Sequence, residues 1–243
     1  MKPIELIYQG KAKSVYRSDA PGKLIVVFRD DITAFDGEKK DVLRGKGVYN
    51  AQVSAFFFSY LEAQGIKTHF YGMLDEHTMV VRELQMIPFE VIVRNIATGS
   101  MVRRYPIAEG TPLDPPVIVI DYKDDARHDP MLNDDLIFAL NIATREELDL
   151  IRAVALTTNE LLKSHLDKRG ITLVDFKLEF GRQDDEIYLG DEISMDSMRL
   201  RDQRTGRSMD KDVYRFSTGD VMEAYASVAR RIIQTDLEEF HEI

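Results

Sequence analysis

Leu173-Val174-Asp175-Phe176-Lys177-Leu178-Glu179-Phe180 alternates apolar and charged residues with a period of two, the period of a strand and not of a helix. Val174, Phe176, Leu178 and Phe180 fall on one face, Asp175, Lys177 and Glu179 on the other. Gly181-Arg182-Gln183-Asp184-Asp185 has the composition of a hairpin turn, so Ile171 to Phe180 and Glu186 to Ile193 are expected to pair across it. Just upstream lies the clearest helix, Arg145 to Lys168, opened by a Thr144/Glu147 capping box and closed by Gly170. Downstream, an amphipathic helix is expected from about Asp220 to Thr235. Toward the N-terminus short strands dominate: Glu5 to Tyr8, Ser14 to Arg17, Leu24 to Phe28, Thr78 to Glu83 and Phe89 to Arg94. One helix interrupts them, from about Gly47 to Ala63, turning Phe56-Phe57-Phe58 inward and stopping at Gly65. Pro106 to Pro116, with four prolines and a glycine, reads as a loop or crossover rather than an element. Strands, a helix and more strands without regular βαβ alternation make the fold class α+β. A boundary is expected near residues 80–85, dividing the chain into 1–83 and 84–243.

The chain has 243 residues, 44% hydrophobic and 30% charged, a balance that excludes disorder, collagen-like repeats and coiled coils. The absence of cysteine excludes disulfides, thiolate zinc sites and thiol nucleophiles. Met1-Lys2-Pro3-Ile4-Glu5 meets an acid before any apolar run of signal-peptide length. The densest apolar run, Val53 to Leu61, falls far short of the ~20 residues that span a bilayer. A cytoplasmic protein without a membrane partner is expected. With 32 basic and 42 acidic residues the net charge is −10, a field that repels polyanions and makes nucleic acid a poor partner. A small anionic substrate stays compatible with local basic clusters.

A charged strand face is ordinarily just solvated. Here, however, the hairpin returns Asp191 and Glu192 close to Glu179, and carboxylates gathered on one face repel one another unless a cation neutralises them. Oxygen donors, without cysteine or paired histidines, suit Mg²⁺, an ion commonly shared with substrate phosphates. Gly10-Lys11-Ala12-Lys13 is either a solvated hairpin turn or a phosphate cradle, in which glycine admits backbone N–H groups and the lysines add charge. Arg94-Asn95-Ile96-Ala97-Thr98-Gly99-Ser100 leaves an apolar strand and ends either in an ordinary capped loop or in a site for a phosphate monoester. Asp196 and Arg199 follow the second acidic strand closely enough to reach the same cleft. His69, His77, His128, His165 and His241 show no metal-ligand spacing and read as structural or exposed, and no Ser-His-Asp arrangement is suggested.

These segments, in this order, resemble the SAICAR synthetase family of purine biosynthesis. The resemblance starts at Tyr8-Gln9-Gly10-Lys11-Ala12-Lys13-Ser14-Val15-Tyr16 and continues through Thr33 to Gly37 and Gly45 to Asn50. Its most specific stretches are Ile87 to Ser100 and Leu173 to Gly181, followed by Gly190 to Ser194 and Met209 to Arg215. It implies a two-part α+β fold: an antiparallel N-terminal part, 1–83, on the nucleotide-phosphate side, and a larger part, 84–243, with ATP between them. The implied activity is an ATP-dependent ligation of the carboxylate of a carboxyaminoimidazole ribotide to L-aspartate, through an acyl phosphate, giving ADP, phosphate and the succinocarboxamide. The resemblance places Lys11, Ala12 and Lys13 at the nucleotide phosphates, Arg82 to Met86 beside the adenine, and Lys123 on the nucleotide side. Glu179 and Asp191 match the family's Mg²⁺-associated acids. Arg94, Ser100 and Arg199 match the holders of the ribotide phosphate, and Asp36, Asp175, Lys177 and Asp196 fall among the residues lining the reaction centre. A homo-oligomer, such as a dimer, is also implied.

Three positions depart from the family pattern: Met195 where proline is usual, Arg201 where tryptophan is common, and Phe89 where an aliphatic residue is normal. Proline stiffens the chain, so Met195 is expected to loosen the approach to Asp196 and Arg199. The alternatives are a ligase of the same chemistry with another carboxylate or amine, and a silent nucleotide-binding module. A kinase-like phosphotransferase would need His-Arg-Asp and Asp-Phe-Gly motifs, and the chain has neither.

Overall fold

The computed structural model of the chain describes residues 1–233, the side chains of Asp36 and Asp125 excepted. Strands β1 (Pro3–Gln9), β2 (Lys13–Ser18) and β3 (Lys23–Phe28) form an antiparallel meander. A small hairpin, β4 (Asp31–Ala34) and β5 (Lys39–Val42), closes around a 3-10 turn at Phe35–Gly37. Helix α1 (Lys46–Ala63) follows, then β6 (Phe70–Asp75) and β7 (Thr78–Arg82). These complete a five-stranded antiparallel sheet in the order β1-β2-β3-β7-β6. The second sheet begins two residues later with β8 (Gln85–Ile96). The chain continues through α2 (Ser100–Arg104), β9 (Pro112–Tyr122), β10 (Met131–Leu132), α3 (Asp134–Ala139), α4 (Arg145–Asp167), β11 (Ile171–Gln183), β12 (Glu186–Gly190) and β13 (Met198–Asp202). Two helices, α5 (Asp212–Phe216) and α6 (Val221–Ile233), end the described chain. The remainder of the expected last helix, to Thr235, lies outside the described residues.

Strand β11 is the spine of the second sheet. One edge pairs with β8, and the other is shared, β13 taking residues 171–176 and β12 residues 179–183. The hairpin turn is shorter than its composition suggests. Asp184 and Asp185 both have positive φ, +51° and +62°, the type I′ geometry that matches strand twist. In the gap between β12 and β13 the chain leaves the sheet, and Lys177 N–H donates to Ser197 C=O at 2.9 Å. Residues 191–197 are therefore held beside the polar face of β11.

The apolar face of β11 is covered by a helix. Val174, Phe176, Leu178 and Phe180 are buried on the side packed by α4, whose Leu148, Ile151, Ala155, Leu162 and Leu166 are buried in turn. Each such residue contributes roughly 1.5–3 kcal/mol relative to exposure. The Thr144/Glu147 capping box is formed, and Gly170, with φ +67°, ends the helix. Helix α1 starts where Asp30 accepts the N–H groups of Gly45 and Gly47 at 3.1 and 3.0 Å. It buries Ala51, Val53, Phe57, Phe58 and Leu61 between the first sheet and α6, so one continuous core joins both sheets.

The expectation of a loop through Pro116 is corrected, because β9 begins at Pro112. Pro112 is the strand's first residue, paired with Ile96, and Pro115 and Pro116 sit opposite the irregularity between Arg94 and Ile96. A strand start and a bulge are the places where a missing N–H does not break a ladder.

Candidate functional site

A cleft of about 1100 Å³ runs between the two sheets. Its upper wall carries the Gly10-Lys11-Ala12-Lys13 turn, held by Gly10 N–H to Lys13 C=O at 2.8 Å and Arg29 N–H to Ala12 C=O at 2.7 Å. Val15, Leu24, Val26, Val81, Leu84 and Met86 make the apolar part of the wall. Lys123, Lys177, Glu179, Asp191 and Asp196 line the opposite side. Ten residues scattered from position 11 to position 196 line this one cleft: Lys11, Ala12, Lys13, Arg82, Met86, Lys123, Lys177, Glu179, Asp191 and Asp196.

The charges interlock. Lys13 Nζ lies 2.5 Å from Asp191 and 2.8 Å from Glu192. Lys177 Nζ lies 2.7 Å from Glu179 and 3.2 Å from Glu90, and Lys123 donates to the other Glu179 oxygen. Burial opposes the charge on Lys13 and Lys177, but the surrounding carboxylates outweigh it and hold both pKa values above the ordinary lysine range. Burial likewise pushes Asp191 up, yet Lys13 and Lys177 reverse this and keep its carboxyl well below the usual range. Glu90 goes the other way, because burial raises its pKa more than Lys177 lowers it. Three lysines face four carboxylates, leaving one negative charge in surplus. Among the described residues no three histidine or carboxylate ligands form a ready-made cage. Glu179 and Asp191 are carboxylates, the donor type that a hard divalent ion takes from protein.

A second group lies along the same strand face. Asp175 is two residues from Lys177, roughly 7 Å along the strand. It pairs in register with Arg94 on β8 and Arg199 on β13, and its carboxylate accepts from both, at 2.9 and 2.8 Å. Arg94 also donates to Ser100 Oγ at 3.0 Å. Gly99 has φ +60°, and a Cβ there would stand 3.1 Å from the Arg199 guanidinium, so only glycine brings backbone this close. Two arginines that share one carboxylate, with a hydroxyl beside them, suit a phosphate dianion.

Arg82 and Asp196, at the cleft, also make contacts apart from the lysine–carboxylate cluster. The Arg82 guanidinium is sandwiched between Tyr71 and Tyr188, 5.0 and 4.6 Å from the ring centres, and donates to Gln183 at 2.5 Å; it ties the two sheets together at the cleft's edge. Asp196 spends both carboxylate oxygens internally, on fully buried Lys46 and on Tyr225 Oη, each at 2.7 Å. Asp36 lies in the 3-10 turn Phe35–Gly37, and its side chain lies outside the described residues. Sequence reasoning missed Glu90, Lys211 and His69, all of which line the cleft. Glu90 had a signal, since it pairs in register with Glu179, but that register is a tertiary fact.

A SAICAR synthetase family model matches residues 6–232. The chain belongs to the SAICAR synthetase family. Phosphoribosylaminoimidazole-succinocarboxamide synthases of Methanoculleus marisnigri and Methanoregula boonei are 67% and 70% identical to it. Each alignment covers 96% of this chain, and 97% and 91% of the relatives. A solved SAICAR synthetase in complex with ADP superposes with a TM-score of 0.91 at 48% identity, covering 93% of this chain and 97% of its own. The enzyme from Ehrlichia chaffeensis gives 0.92 at 40% identity, covering 94% and 98%.

Within this SAICAR synthetase fold the three departures are accommodated. Met195 and Phe89 are fully buried, and Met195 C=O accepts the Lys211 N–H at 3.2 Å, so its side chain is core rather than a loosened hinge. Arg201 lies away from the cleft, 3.7 Å from Glu109.

Proposed function

We propose that this chain joins the carboxylate of carboxyaminoimidazole ribotide to the amine of L-aspartate at the expense of ATP, as an enzyme of purine biosynthesis. The observation that carries the reading is the interlocked lysine–carboxylate cluster facing the Gly10–Lys13 turn across a cleft between two sheets. The ADP-bound relative supports nucleotide binding in that cleft. Lys11, Ala12 and Lys13 hold the phosphates, the Arg82–Met86 segment borders the adenine, and Lys123 assists from the opposite wall. Glu179 and Asp191 would hold Mg²⁺, which when bound neutralises phosphate charge during transfer. Arg94, Ser100 and Arg199 grip the ribotide phosphate, with Asp175 accepting from both guanidiniums, while Asp36 and Asp196 belong to the lining of the reaction centre.

A carboxylate is a poor electrophile, so it must be activated. Its oxygen takes the γ-phosphoryl group of ATP and ADP leaves. The aspartate amine then attacks the acyl carbon, phosphate departs, and the amine gives up a proton. Lys13 and Lys177 stabilise the charge on the transferring group, a role that positioned cations fill without covalent chemistry. The ribotide phosphate, anchored at Arg94 and Arg199, keeps the reacting carboxylate in place.

The division into 1–83 and 84–243, a cytoplasmic location and a homo-oligomeric state complete the proposal, and light scattering on the purified chain tests the last. The activity is tested by ADP release from Mg-ATP with ribotide and L-aspartate, each omitted in turn. Turnover that requires all three is expected; ADP release indifferent to ribotide or aspartate sinks the reading and points to other substrates.

A further inference from the structure

Lys211 stands just before α5 and lines the cleft, yet no step of the chemistry above uses it. Its N–H donates to Met195 C=O at 3.2 Å, which ties it to the 195–197 segment, and Ser197 C=O in turn accepts Lys177 N–H at 2.9 Å. Lys13, Lys123 and Lys177 are all spent on carboxylates. The Lys211 ammonium, by contrast, makes no hydrogen bond and no ion pair among the described residues. Lys40, also on the cleft wall, is exposed and solvated, whereas Lys211 is half-buried. Burial pulls its pKa below the ordinary lysine range, against the opposing pull of Asp196. Asp196 does not cancel the charge, because its two oxygens are taken by Lys46 Nζ and Tyr225 Oη, each at 2.7 Å. With Glu192 paired to Lys13, two lysines share one carboxylate here, a positive surplus beside a cluster whose surplus is negative. A half-buried cation without a counter-ion is costly, and methionine would fill the same space without that cost. Packing alone therefore does not account for a lysine, whereas an anion arriving with a substrate does.

The anions of the proposed reaction divide among the cations of the cleft. The nucleotide phosphates face Lys11 to Lys13, and the ribotide phosphate faces Arg94 and Arg199. L-aspartate brings two more carboxylates, and its amine has to reach the acyl carbon beside Lys177, the corner to which the 195–197 segment ties Lys211. A lysine ammonium is a compact charge with three donors, suited to a carboxylate. We propose that Lys211 binds a carboxylate of L-aspartate and so seats its amine at the activated ribotide. This role rests on L-aspartate being the amine substrate, as proposed above.

The test is steady-state ADP release by the full chain, with the KM measured for L-aspartate, ribotide and Mg-ATP in turn. The parent is the control for the substrate: its turnover must saturate with L-aspartate, and if it does not, the proposed function falls and the role of Lys211 with it. With the control satisfied, Lys211→Met is expected to raise the KM for L-aspartate at least about tenfold, the loss of one charge-assisted bond, with the KM for ribotide and for Mg-ATP within about twofold of the parent. Lys211→Arg, which keeps the charge, is expected to recover most of that loss. The role alone is overturned if Lys211→Met keeps the parental KM for L-aspartate, if the KM for ribotide or Mg-ATP rises in step, or if Arg fails as badly as Met. Should the Met variant not fold, Lys211→Gln takes its place under the same criteria.

Discussion

Lys177 is poised between Glu90 and Glu179, so its removal leaves carboxylates facing one another where phosphate charge must be neutralised. Lys177→Ala and Glu179→Ala are each expected to lower kcat by at least about 100-fold with an unchanged far-ultraviolet dichroism spectrum; near-parental rates in either would remove both from the reaction centre. Asp210 makes a different prediction. Its buried carboxylate accepts N–H groups from Leu200 and Asp212, both at 2.6 Å, and burial raises its pKa to about 7 against the pull of Leu200 N–H and Arg199. A carboxyl raised in the folded state gives stability that is present at low pH and lost as pH climbs from its unfolded value through 7. The fall reaches up to about 1.4 kcal/mol per pH unit. Denaturant melts from pH 4 to 8 should show this slope in the parent and a flatter one in Asp210→Asn; equal slopes would mean that the carboxylate stays ionised throughout.

At the scale of elements, the linker between the sheets passes close over β11. A Cβ on Gly181 would come within 2.7 Å of Leu84 Cβ and 3.1 Å of Gln85 C=O, neither of which is the movable end of a side chain. Gly181→Ala is expected to cost about 1–3 kcal/mol and to raise the KM for ATP, since Leu84 and Met86 line the cleft; a change in stability with KM untouched would separate the linker from nucleotide binding. The α4 cap offers the opposite case. Thr144 accepts Glu147 N–H at 3.2 Å far from the cluster, so Thr144→Ala should cost about 1 kcal/mol and leave kcat as it is. Element positions were legible wherever a period or a cap wrote them, as in α4 and β11. Strand β9 was not, because its prolines obey a bulge in the pairing with β8 that one strand's sequence does not reveal.

Across the whole molecule, α1 and α6 knit the two sheets into one core. Unfolding is therefore expected as a single calorimetric transition whose calorimetric and van't Hoff enthalpies agree; two resolved transitions would make 1–83 and 84–243 separately folding units. Because nucleotide would bind between the sheets, Mg-ADP at 100 times its Kd should stabilise this one transition by about 2.7 kcal/mol.

The sequence alone carried the α+β class, the polar strand face of Asp175, Lys177 and Glu179, the helix caps, and the family, because periodicity, capping residues and long collinear motifs are local properties of the chain. It also brought Asp191 back toward Glu179 through a hairpin only a few residues long. Tertiary structure alone decided what those charges do. The register of β8 on β11 set Glu90 beside Lys177 and Arg94 beside Asp175. The split edge of β11 threaded residues 191–197 along the cleft, and burial turned Asp196 from an apparent cleft acid into the partner of Lys46 and Tyr225. Such pairings depend on which strands become neighbours, and on how far water is excluded between them, and neither is written in any one stretch of sequence.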